Sequence, residues 1–227
     1  MISAAITAFA DLTAPGFRAI VLKAIGLTIA LFIGVVVAVE YALSYLLVLK
    51  WTWLETVAQW GAGLALIAGL FFLIVPVTAI FAGLYFDRVA DLTEQRHYPQ
   101  DRPGQAPGSL AGFLTGLQFA GLALLISLLV FPFIFFGIGI IVLPLANAYV
   151  ISREYFVMAA ARHTGLEQAK ALRRAHALKV WAAGLAPALF GLVPLANLAM
   201  PVFAASYFVH IAKAITGSSG DSGRDRR

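Results

Sequence analysis

The chain has 227 residues, 61% of them hydrophobic and only 12% charged. Soluble domains carry about a quarter charged residues, so this composition excludes an ordinary water-soluble enzyme or binding domain and points to an integral membrane protein. The net charge of +5 reads as the loop bias of a membrane protein and not as a nucleic-acid surface, and the absence of cysteine removes disulfides, thiol nucleophiles and thiolate metal sites.

Ile2, Ala5, Ile6, Phe9 and Leu12 recur at helical spacing opposite Ser3, Thr7 and Asp11, which predicts a short amphipathic helix within residues 1–14, lying in a membrane interface. No basic n-region or small-residue cleavage site precedes it, so no signal peptide is expected. Thr13-Ala14-Pro15-Gly16 breaks that helix, with Thr13 as N-cap of the next one. About 20 apolar residues cross a hydrocarbon core roughly 30 Å thick, so the apolar runs over residues 24–49 and 57–86 predict two spans. Lys50-Trp51-Thr52-Trp53-Leu54-Glu55 turns between them and carries an interfacial aromatic belt.

An amphipathic extension follows, with Phe86, Val89 and Leu92 on one face and Asp87, Asp91 and Glu94 on another. Residues 96–109, with Pro99, Pro103 and Pro107, read as a linker. Residues 110–152 hold no charge before Arg153 and predict a hairpin of two helices joined near Phe131-Pro132-Phe133. Residues 153–179 form a charged, cytoplasmic helical segment with an apolar stripe through Phe156, Ala159, Ala160 and His163. Residues 181–212 are too long for one span and too short for two, and Pro194 and Pro201 bracket Asn197 at their middle. This predicts a second hairpin that enters the bilayer from one side and turns back. Residues 216–227 read as a disordered tail.

The expected fold is therefore an all-α integral membrane protein with one domain over residues 1–215. Two long transmembrane helices, two hairpins of partly inserted helices and an N-terminal interfacial helix make it up. Every Lys and Arg except Lys50 falls on the side that holds both termini, so that side is cytoplasmic. Leu143-Pro144-Leu145-Ala146-Asn147 echoes Val193-Pro194-Leu195-Ala196-Asn197, an echo short enough to arise by chance. Stripes of small residues at Gly61/Ala65/Gly69 and Gly112/Gly116/Ala120 read as packing or oligomer faces.

The residues suited to function are few. A helix start exposes unpaired N–H groups and a partial positive charge, so Gly16, Phe17 and Arg18 form a candidate anion site. Arg18 and Lys23 also read as ordinary basic flanks of a span. Asn147, Pro194, Asn197 and Pro201 are candidates for a permeation path, and the two amides equally well cap broken helices. The basic run of Arg162, Lys170, Arg173, Arg174 and Lys179 reads as a solvated cytoplasmic face, or as an attractor for anions or lipid headgroups. The four histidines lack metal-ligand spacing, and neither a nucleotide loop nor a nucleophile elbow occurs. No metal, cofactor, catalytic residue or nucleic-acid partner is expected.

Pro15-Gly16-Phe17-Arg18, Trp51-Thr52-Trp53-Leu54, Pro76 followed by Phe81-Ala82-Gly83-Leu84, and Val193 to Val202 with its two prolines resemble the bacterial CysZ sulfate permeases and the wider etoposide-induced protein family. The resemblance covers about residues 5–214. It implies an all-helical membrane fold with cytoplasmic termini, a homo-oligomer, and a channel-like route for sulfate feeding cysteine synthesis. It also implies anion binding at a Gly-Leu-Arg-Arg helix start, of which Gly16 and Arg18 match while Phe17 and Ala19 depart. The expected function is an anion permease of the bacterial inner membrane, for sulfate or a related anion and in contact with membrane lipids. The alternative is a membrane scaffold or lipid-interacting protein without transport.

Overall fold

The computed structural model describes residues 1–46, 85–105 and 137–221, with short stretches between 117 and 133. Every regular element among the described residues is helical. The expected second span up to residue 84, the aromatic turn at 51–54, both small-residue stripes, the junction at 131–132 and the tail after 221 lie outside the described residues.

Helix α1 (Ile2–Asp11) ends where Leu12, Thr13 and Ala14 donate N–H bonds three residues back, to Phe9, Ala10 and Asp11. Thr13 was expected to cap the next helix. Its hydroxyl instead donates to Ala10 O at 2.8 Å, so it closes α1. Pro15 then opens α2 (Pro15–Leu46), where its missing N–H costs nothing and its fixed φ suits a first turn. The axis turns through 77° between α1 and the start of α2. Among the described residues no single helix is both long and apolar enough to cross a membrane, although α1 and residues 15–23 pass that test as a bent pair.

Residues 85–97 form α3. A turn at Gly137, held at a φ of 71°, leads into α4 (Gly139–Thr164), which runs on without a break past residue 152. Pro144 sits inside this helix, whereas Pro194 opens a new one, so the two Pro-Leu-Ala-Asn echoes differ in conformation. Gly165, at a φ of 82°, stops α4 in a conformation that a side chain would strain. Then come α5 (Leu166–Ala175), α6 (Ala177–Phe190), the single turn α7 (Pro194–Asn197) and α8 (Met200–Asp221). Helix α8 extends into the stretch expected as a tail, held there by fully buried Ile215 and by Thr216 donating to Ala212 O.

Helices α4 and α8 form the centre, with Tyr155, Phe156, Tyr207 and Phe208 almost wholly enclosed. Aromatic rings run from helix to helix in one chain of contacts. Phe9 meets Phe190 edge-on at 6.1 Å, Phe190 stacks on Phe203 at 4.7 Å, and Phe203 stacks on Tyr207 at 5.8 Å. Tyr207 touches Phe208, Phe208 touches Tyr155, and Tyr155 meets Phe86 of α3. Each such pair contributes roughly 0.5–1.5 kcal/mol beyond simple burial, so the chain fixes four helices around α8. Helices α4 and α6 touch through Gly184, where a Cβ would stand 2.2 Å from Ala148 O.

Large apolar side chains also stand outside this apolar core. Helix α1 hides Asp11 and exposes Ile2, Ile6 and Phe9. Leu22, Ile29, Ile33, Val37 and Tyr41 form an exposed apolar stripe along α2, and Leu178, Leu189, Leu192 and Val193 are exposed on the second hairpin.

Candidate functional site

The helix start at the α1–α2 corner is built by the turn just described. Arg18 N–H donates to Ala14 O at 2.9 Å, which opens the ladder of α2 and leaves the N–H groups of Gly16 and Phe17 ahead of it. Phe17 is buried and anchors the corner, while Arg18 and Ala19 stand exposed. Leu92 of α3 occupies the space beside Gly16, where a Cβ would meet its methyl groups at 3.2 and 3.3 Å. Glycine here therefore serves the packing of α3 against α2. Among the described residues no carboxylate pairs with Arg18.

The second hairpin turns at residues 191–193. Asn197 N–H donates to Val193 O at 2.8 Å, and its Oδ1 lies 3.2 Å from where a Gly191 Cβ would stand, so it fills the inside of the turn. Pro201 is buried in the first turn of α8. Asn147 lies in α4, where it is half-buried, and no hydrogen bond joins it to Asn197 among the described residues. The structure thus places Asn197 and Pro201 at one turn and Asn147 on another helix.

Sequence reading had Arg162 on a solvated basic face. In the structure its side chain is wholly enclosed and faces three carboxylates of α3. Asp87, Asp91 and Glu94 recur at spacings of four and three, which puts them on one side of α3. Glu94 takes a forked pair from Nε and Nη2 at 3.2 and 3.3 Å, Asp87 accepts from Nη1 at 2.7 Å, and Asp91 accepts from Nη2. His163 donates to Glu94 at 2.9 Å and Gly104 N–H at 3.1 Å. The expected linker lies over this group: Gln105 N–H donates to Arg162 O at 2.9 Å, and a Cβ on Gly104 would stand 2.7 Å from Arg162 Nε.

Burial alone would raise the Glu94 carboxyl, but hydrogen bonds from Arg162 and His163 hold it below the usual carboxylate range. At Asp87 burial wins over the bond from Arg162, and its carboxyl is raised. Burial would lower the Arg162 guanidinium, but its bonds to Glu94 and Asp91 raise it. Four of its five N–H donors go to carboxylates and the side chain is wholly enclosed, so Arg162 is closed to a passing anion. It is a structural tie and not an anion ligand. Arg174 and Lys179 remain exposed.

A second polar group was invisible in the sequence. Asp11, 1% exposed, accepts from His97 Nε2 at 2.9 Å and from Ser206 Oγ at 2.7 Å. His210 lies against His97, ring centroids 5.0 Å apart, and its Nδ1 is 2.8 Å from Tyr98 Oη. Two of the four scattered histidines thus approach one carboxylate, His97 from 86 positions away and His210 from α8, whose Ser206 bonds the same carboxylate across 195 positions. Three like residues with no local spacing give no sequence signal. An acidic residue on the polar side of α1 was the sole visible hint.

No curated protein and no solved structure matches the chain. The protein-family description "Sulfate transporter CysZ/Etoposide-induced protein 2.4" matches residues 4–201, most of the chain, including the helix start, α3 and the second hairpin as far as its turn. The chain therefore belongs to the family of the sulfate transporter CysZ and etoposide-induced protein 2.4.

Proposed function

We propose that this protein is an anion permease of the bacterial inner membrane that carries sulfate by a channel-like route, without covalent chemistry. The observation that carries this reading is the helix start at Gly16, Phe17 and Arg18, in a chain of a sulfate-transporter family. Two N–H groups ahead of the helical ladder and an adjacent guanidinium without a carboxylate partner among the described residues make a suitable capture point for a divalent oxyanion. The exposed apolar stripes on α1, α2 and the second hairpin support placement in lipid, because water-soluble proteins rarely leave large contiguous apolar areas uncovered. Both termini are cytoplasmic, and copies of the chain assemble so that Asn147 of α4 and the turn holding Pro194, Asn197 and Pro201 flank the route.

The test is uptake of labelled sulfate by the purified protein in liposomes, beside Arg18→Ala and empty vesicles. Uptake that falls to background in Arg18→Ala is the expected result. A folded, inserted protein with no uptake above empty vesicles refutes the permease. The second reading, a lipid-binding scaffold, is favoured by the exposed Ile2, Ile6 and Phe9 of α1 together with exposed Arg174 and Lys179. It predicts vesicle binding that weakens in Arg174→Gln, with no flux in any variant.

A further inference from the structure

The group formed by Asp11, His97 and His210 has an unmet requirement. One ligand atom from each residue lies within 4.8 Å of the other two. His210 is 8% exposed, and its Nε2 has no hydrogen-bond partner among the described residues. The neutral imidazole of His210 carries a proton on one ring nitrogen and a lone pair on the other. If Nδ1–H donates to Tyr98 Oη, the lone pair on Nε2 is left buried and unpaired; if Tyr98 donates, the Nε2 proton is. A packed hydrogen-bond network would leave neither.

We propose that Asp11, His97 and His210 bind a divalent transition metal ion of the Zn2+ class. Two imidazoles and one carboxylate are the donor set that zinc and its neighbours take, whereas Mg2+ and Ca2+ prefer oxygen ligands alone. The partners behind the ligands are already in place. Ser206 holds Asp11 Oδ2 and leaves Oδ1 to face the ion, and Tyr98 Oη, 2.8 Å from His210 Nδ1, is placed to accept its proton in the tautomer that leaves the Nε2 lone pair for the ion. Such outer hydrogen bonds fix the tautomer and orientation of metal-bound histidines. On binding, His97 ligates through Nε2 as a neutral ring protonated at Nδ1: a charged ring gives its Nε2 proton to solvent, and a neutral Nε2–H ring gives that proton to solvent and takes one back at Nδ1.

The geometry needs a small closure. Zinc bonds of about 2.0–2.1 Å in a tetrahedron put ligand atoms roughly 3.3 Å apart. The His97–Asp11 separation of 2.9 Å is within a few tenths of that. The widest separation, at most 4.8 Å, closes by up to about 1.5 Å. His97 ends α3 and its side chain is one-quarter exposed, which gives the ion a way in. Arg96 Nε, 3.6 Å from Asp11 Oδ1, belongs to a half-exposed side chain that swings into solvent as the ion arrives. Three protein ligands leave a fourth position for water or an external donor. The site joins α1, α3 and α8, and it stands whether or not the chain conducts anions.

The test uses the full chain in detergent, purified without a histidine tag and stripped with a chelator, then titrated with Co2+ followed by Zn2+. One Co2+ per chain, with visible d–d absorption that Zn2+ abolishes, is expected. His97→Gln, at the rim of the fold, should bind more than about 100-fold more weakly, because losing a partner behind a ligand already costs 10–100-fold. His176→Gln, away from the group, should bind like the wild type. His210→Gln is a second probe, and the Zn2+-induced rise in Tm of the wild type should vanish in folded His97→Gln. No uptake by the wild type, or uptake and Tm shift unchanged in His97→Gln, overturns the proposal.

Discussion

Arg162→Met tests whether the buried guanidinium ties α3 to α4. The substitution keeps most of the side-chain volume and removes the charge and all of its N–H donors. Glu94, 7% exposed, would then retain only His163 and Gly104 N–H as partners. Removing one member of a buried ion pair costs about 3–5 kcal/mol. Asp87 and Asp91 are 31% and 41% exposed, so each of their pairs adds only about 0–1 kcal/mol. The total is therefore dominated by Glu94. For a chain of this length that cost corresponds to a fall in Tm of roughly 6–20 °C in detergent. Asp91→Asn should cost no more than about 1 kcal/mol. Arg162→Met with Glu94→Gln should be more stable than the sum of the two single losses, since the double variant leaves no enclosed charge between them. An Arg162→Met protein as stable as Asp91→Asn would refute the assignment.

Gly184→Ala should destabilise by about 1–3 kcal/mol or more, because its Cβ would meet the backbone at Ala148 and cannot be accommodated by a side-chain shift. Gly26→Ala, with nothing within 4 Å of its Cβ, should instead stabilise by about 0.5–1 kcal/mol, and paired thermal melts check both. Acid should act through Glu94. Its carboxyl is lower when folded than the ordinary value of 4.5, so its contribution is complete above that value and disappears as pH falls through the depressed folded pKa. Asp87, raised from 3.8, acts with the opposite sign over the range above 3.8 and partly offsets the loss. Melting curves from about pH 6 to about pH 3 should thus show a smaller acid loss in Glu94→Gln than in the wild type. An unchanged pH profile in that variant would contradict the role given to Glu94.

Local signals were legible and distant ones were not. The end of α1 and the start of α2 were marked by Pro15, and the second hairpin by Pro194 and Pro201, because proline acts on its own backbone. The amphipathic spacing of residues 2–12 gave α1 and its apolar face. The same spacing placed Asp87, Asp91 and Glu94 on one side of α3, yet it could not say that this side faces inward. That depends on Arg162, 68 to 75 positions away. A basic cluster reads as solvated unless its counter-ions are known, so Arg162 was grouped with the exposed Arg174 and Lys179. The Thr13 assignment failed for a different reason. A hydroxyl between two helices can cap either, and the turn geometry at Ala10 decided it. Of the candidate site, the helix start at Gly16 to Arg18 was readable, whereas the Asp11–His97–His210 group was assembled entirely by tertiary packing.

The bond from Ser206 to Asp11 spans 195 positions. Helix α1 is made well before its partner on α8. At 5–20 residues per second, a ribosome takes roughly 10–40 s to bring the two into existence together. Throughout that interval the Asp11 carboxylate has no Ser206 or His210 to meet, and until α3 brings Arg96 and His97 only water can keep it charged at low cost. The N-terminus is thus a part finished early and fitted late. A chain stopped before residue 200 would leave α1 undocked, and limited proteolysis of such stalled chains would cut within residues 1–14 until α8 is complete.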